Sequence, residues 1–208
     1  MEKGQNKNID FYELNYELGM QNFLSSEEPV INRQIKTLED LTGRKFGKKG
    51  IKQIASCKMK DIYIVYENGK VLKNFEPYET KKVEGIFEAA PDFYYVIYKD
   101  NTVDSLYPED EPTLNGKYDK ILFDRNFLLL LRGDELLVQA WAFPGEEEVS
   151  ILTVYTGVSD MELIHTWEEV GREADDEMID TNVKIKVGDK WLTIVGVPML
   201  HRISHKCF

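Results

Sequence analysis

The sequence predicts an α+β protein, mainly β, with N-terminal amphipathic helices packed on an antiparallel sheet of repeated β-hairpins. Three observations predict it. Apolar residues recur at helical spacing through the first 48 residues. From Ile51 the period changes to two. The two-period region then repeats at an interval of about 32 residues, with turn-forming dipeptides at matching places. The chain therefore reads as a helical segment over 1–48 and a β-rich domain over 49–208.

The first helix opens at Asp10-Phe11-Tyr12-Glu13, where an Asp N-cap is followed three residues later by Glu. Phe11, Leu14 and Leu18 form its apolar side, and Glu13 and Glu17 take another. Ser26-Glu27-Glu28-Pro29 signals a second start: a hydroxyl cap, acids at the positive helix end and Pro in the first turn. Val30, Ile31, Ile35, Leu38 and Leu41 make the stripe that follows, and Gly43 is the expected C-cap.

In the repeat, Ile51, Ile54, Ile64, Val65, Tyr66 and Val71 map onto Val83, Ile86, Val96, Ile97, Tyr98 and Val103. A third copy runs through Tyr118, Ile121, Leu129, Leu130, Leu131 and Leu136, so the copies span 51–71, 83–103 and 118–136. Their turns are Asn68-Gly69, Asp100-Asn101 and Gly133-Asp134, residue types that tolerate the positive φ of primed hairpin turns. The repeat decays after Ala140, and a last hairpin over 183–195 turns at Gly188-Asp189. Units of this size suit either one blade of a propeller or one segment of a curved antiparallel meander. Phe127 to Leu131 lacks polar alternation, so both faces of that strand need cover, one of them expected from the N-terminal helices.

Composition narrows the function classes. The chain has 208 residues, 42% of them hydrophobic and 30% charged, which is ordinary globular usage. No apolar run reaches the roughly 20 residues a spanning helix needs, so no membrane partner is expected. No secretory or lipidation signal is recognised, and Cys57 and Cys207 lack CxxC spacing. Reduced thiols and a cytoplasmic location are the expectation.

Net charge is −11, unevenly placed. Arg44 to Lys60 holds seven basic residues and no acid, whereas Asp134 to Asp180 holds fourteen acids and one base, Arg172. A surface of that sign steers association with a basic protein. The expected function is thus a non-catalytic protein-interaction module of the inhibitor, immunity or adaptor kind. Its expected contact residues are Glu146, Glu147, Glu148, Glu168, Glu169, Asp175, Asp176 and Glu177. Tyr94 and Tyr95 join them from an aromatic-rich strand, because tyrosine is enriched at interfaces.

The alternative partner is a nucleic acid or phosphate, met by Arg44, Lys45, Lys48, Lys49 and Lys52 within 44–60. The glycines around these cations free the backbone to approach an anion, but the GxxxxGK[ST] order is absent. A second alternative is an enzyme built around His165 and a neighbouring carboxylate. His201, His205 and Cys207 are the only soft-ligand cluster, with no fourth ligand placed, so neither metal nor cofactor is expected. Arg132-Gly133-Asp134 reads as turn chemistry.

Overall fold

The computed structural model describes residues 9–21, 29–47, 49–78, 80–90, 93–107, 114–124, 127–142, 149–169 and 177–194. The chain divides into two compact units, Met1–Ile86 and Phe87–Phe208.

In the first unit, α1 (Phe11–Met20) starts where its cap residue says it should. Asp10 accepts hydrogen bonds from the Tyr12 and Glu13 N–H groups at 2.9 and 3.2 Å, satisfying two of the helix's orphan donors. Helix α2 (Val30–Thr42) begins three residues later than a cap at Ser26 would place it. Pro29 keeps an extended ψ of 136° and stands at the N-cap rather than in the first turn, while Ser26, Glu27 and Glu28 lie outside the described residues. Gly43 ends the helix in the left-handed region at φ 69°, its N–H bonded to the Glu39 carbonyl.

The first sheet is a meander of β1 (Ile51–Cys57), β2 (Asp61–Tyr66), β3 (Val71–Lys73) and β4 (Glu76–Pro77). Leu14, Leu18, Ile35 and Leu38 of the helices bury against Ile51, Ile54, Ile62 and Ile64 of this sheet and Phe75 of the β3–β4 turn. Burying side chains of this kind contributes roughly 1.5–3 kcal/mol each. Polar pins fix the arrangement. Asn15, itself buried, donates to the Phe11 carbonyl and accepts from Ser56 on β1. Asp61 is almost wholly buried; it pairs with Lys73 at 2.9 Å and accepts from the Asn74 amide. Burial pulls the Lys73 ammonium down, but hydrogen bonds to Asp61 and Tyr63 outweigh it and raise the pKa above the ordinary lysine value.

Strand β5 (Val83–Ala90) crosses the division between units and starts a second meander with β6 (Phe93–Tyr98), β7 (Thr102–Ser105) and β8 (Gly116–Lys117). A third meander follows in β9 (Lys120–Phe123), β10 (Phe127–Arg132), β11 (Glu135–Ala142) and β12 (Val149–Thr156). The last sheet is β13 (Val158–Glu169), β14 (Glu177–Val187) and β15 (Lys190–Ile194).

Within the second unit the uniformly apolar strand β10 is covered on both sides, as its composition requires. Leu128 and Leu130 join Phe87, Tyr95, Ile97, Val103 and Leu114 in one core. Phe127, Leu129 and Leu131 join Val158, Met161, Val183 and Ile185 in another. The cover is therefore β-sheet on each side, and the expectation that the N-terminal helices supply one side is corrected. Those helices spend their apolar faces on β1 to β3 instead.

One hydrogen bond recurs with the repeat. The Val83 N–H donates to the Gly69 carbonyl, Tyr118 to Asn101 and Val158 to Asp134, all at 2.9–3.0 Å. Each joins the second residue of a hairpin turn to the start of the next sheet, at its first residue for Val83 and Val158 and two residues before β9 for Tyr118. Val158 thus stands in the place of Ile51, Val83 and Tyr118, and all four are buried. The repeat that seems to decay after Ala140 in sequence has a fourth copy, entered after a longer β11–β12 hairpin. The four turns are of two kinds. Gly69 and Asn101 carry positive φ as the last residue of a three-residue loop, the G1-bulge arrangement. Gly133 and Gly188 carry it as the first of two, as in a II′ turn.

Candidate functional site

Three of the acidic candidates lie on the longest hairpin among the described residues. β13 and β14 pair from Val158 with Val187 to Glu169 with Glu177, so Glu168, Glu169 and Glu177 sit at the far end of the ladder. The register sets Glu169 directly opposite Glu177. Like charges in that position oppose pairing. The connection between these strands carries Glu173, Asp175 and Asp176 in sequence, with Arg172 the one base. Asp175, Asp176 and Glu146 to Glu148 lie outside the described residues.

Towards the other end of the same ladder the charges alternate in sign. Asp160 faces Lys186 and Glu162 faces Lys184 in register. Lys120 of β9 reaches across to the Asp160 carboxylate at 2.7 Å and to the Met161 carbonyl at 2.9 Å. The Lys120 hydrogen bond, with a second from the Met161 N–H, holds the Asp160 carboxyl below its usual pKa.

Tyr94 and Tyr95 do not lie on a surface. They are 6% and 1% exposed, because β6 is an inner strand covered on both faces. Tyr95 packs with Phe87 and Leu130, and Tyr94 donates its hydroxyl to Glu88. Two tyrosines well exposed on a helix were missed by strand-based reasoning. Tyr12 and Tyr16 of α1 are 65% and 54% exposed, and Met20 continues their row one turn on. Glu13 lies beside them, exposed. Their signal in the sequence is the i, i+4, i+8 spacing adjacent to the buried Phe11-Leu14-Leu18 side.

Of the basic candidates, three are engaged within the first unit. Arg44 lies over the Phe75 ring at 4.9 Å, Lys45 pairs with Glu39 at 3.2 Å, and Lys52 pairs with Glu84. Lys49 is exposed, and Lys48 lies outside the described residues. Sequence reasoning about 44–60 missed other cations that the fold brings to Lys49. The Gly50 carbonyl accepts from the Glu67 N–H at 2.8 Å, which sets Lys49 beside the Asn68-Gly69 turn. Lys70 follows that turn, and the Val83 N–H bond to Gly69 draws Lys81 and Lys82 to it.

His165 pairs with Thr181 in the β13–β14 ladder, and His201, His205 and Cys207 lie outside the described residues. Cys57 is a fully buried thiol. Among the described residues, no group of three or more His, Cys, Asp or Glu is placed to hold a metal ion, and no helix is long and apolar enough to cross a membrane. Comparison with protein-family models, curated proteins and solved structures found no match to this chain.

Proposed function

We propose that the chain is a non-catalytic protein-interaction module, of the inhibitor, immunity or adaptor kind, that presents an acidic surface to a basic protein partner. The observation that carries this reading is the Glu169–Glu177 register at the end of the β13–β14 hairpin. Like charges at opposed ladder positions disfavour pairing, and a cation brought by a partner relieves that penalty. The charge division between the units supports the same reading. Residues 87–208 carry 24 acids against 11 Lys and Arg, whereas residues 1–86 carry 13 against 15. The whole acidic excess therefore belongs to the second unit, where it favours encounter with a basic surface.

The test is capture of partners from native lysate by the immobilised chain, compared with a variant in which Glu168, Glu169, Asp175, Asp176 and Glu177 are each replaced by Lys. The expected result is retention of a basic protein by the unaltered chain and its loss from the variant. Equal retention by both would overturn the reading.

A further inference from the structure

The second unit's acidity draws attention away from a cationic surface on the first. Residues 44–86 hold eleven Lys and Arg against five acids. Several of these charges, Lys81 among them, have partners within the structure. Lys45, Lys52 and Lys73 are committed to Glu39, Glu84 and Asp61. A second group converges on the β2–β3 turn through backbone geometry alone. Gly69 there is buried, at φ 83°, with its Cα face so close to Lys82 that an added Cβ would stand 2.8 Å from the Lys82 Cβ. Lys70 and Lys82, both exposed, flank this glycine, Lys81 adjoins them, and Lys49 approaches from the other side through the Gly50–Glu67 hydrogen bond. Glu67 is the acid in the turn itself.

We infer that Lys49, Lys70, Lys81 and Lys82 form a binding surface for the sugar–phosphate backbone of a nucleic acid. This goes beyond the acidic-surface reading and rests on a different unit and different residues. The bidentate fork of arginine, which meets carboxylate and phosphate alike, is absent from this group; Arg44 is stacked on Phe75. Lysine meets phosphate as a point charge. The turn's own amides are occupied, Gly69 N–H on the Tyr66 carbonyl and Lys70 N–H on the Asn68 side chain. The surface therefore offers charge without oriented donors, which suits a regularly charged polymer bound without base readout. At physiological ionic strength charges beyond about 8–10 Å are screened, so a local cationic surface can act despite a net charge of −11.

The experiment is anisotropy of a fluorescein-labelled DNA duplex of about 20 base pairs with the full chain, between about 50 and 200 mM salt. Three to four phosphate contacts predict a log–log salt slope of about −2.7 to −3.6, a weakening of about 40- to 150-fold across that range. Lys70→Glu with Lys82→Glu should reduce the slope by about 2, with an unchanged far-ultraviolet spectrum. Lys36→Glu with Lys60→Glu makes the same change in net charge elsewhere and should leave the slope as it is. The inference is overturned by no binding at the lowest salt, by a slope that Lys70 and Lys82 do not affect, or by equal loss in both variants. It is also overturned if polyglutamate displaces the duplex at equal charge concentration, since the partner would then be an acidic polypeptide.

Discussion

The Gln53 side chain pairs with both backbone groups of Ile86: its amide N–H donates to the Ile86 carbonyl at 2.7 Å and its amide oxygen accepts the Ile86 N–H at 2.9 Å. Ile86 is 5% exposed, so these groups have little access to water. Gln53→Ala leaves a buried donor and acceptor without that partner and should cost about 1–3 kcal/mol. Urea unfolding monitored by tryptophan fluorescence and circular dichroism measures it, and the midpoint should fall.

The repeat places Lys120 where Gln53 stands in the first copy, and Met161 where Ile86 stands. Lys120 accordingly donates to the Met161 carbonyl, adding the ion pair with Asp160. Because the folded Asp160 pKa lies below its unfolded value, its stabilising contribution is full above the unfolded pKa and is lost as pH falls through the folded one. A carboxyl-carbon NMR titration should show Asp160 titrating below the ordinary aspartate value. In Lys120→Met the midpoint should move upward, since the principal cause of the depression is removed.

Gly69 is needed for two reasons, its φ of 83° and the nearness of Lys82. Gly69→Ala should lower stability by about 1–2 kcal/mol from the left-handed backbone alone, with the close approach adding to it. Gly133 also has positive φ, but nothing lies within 4 Å of an added Cβ. Gly133→Ala should therefore cost less, and comparing the two melting temperatures isolates the packing part.

Alternate residues of β10 serve different cores, which separates mutations that would otherwise seem alike. Leu129→Ala and Leu130→Ala should each cost about 2–5 kcal/mol, because both side chains are fully buried. Combined, they should add more nearly than Leu128→Ala with Leu130→Ala, which open cavities in one shared core. Denaturant midpoints of the single and double variants decide it.

Much of this architecture was legible in the residues. The Asp10 cap, the Gly43 stop, the three hairpin copies and the doubly covered β10 all follow from local chemistry that the fold leaves intact. The fourth copy was hidden because its β13–β14 hairpin is long and charged, and only the Val158 hydrogen bond to Asp134 reveals its register. The candidate site was legible in charge and less so in placement. Strand aromatics such as Tyr95 look surface-active in a single strand, yet packing of one sheet on another buries them. The Lys49, Lys70 and Lys82 group could not be read from a run, because the turn assembles it from three places in the chain.

The acidic-surface account is tested most directly by the salt dependence of affinity between the purified chain and the basic partner it captures. The account predicts affinity that falls steeply with salt, and a shallower fall when Glu168, Glu169 and Glu177 are replaced by Gln. An affinity indifferent to salt, or a salt dependence that those replacements leave unchanged, would contradict it.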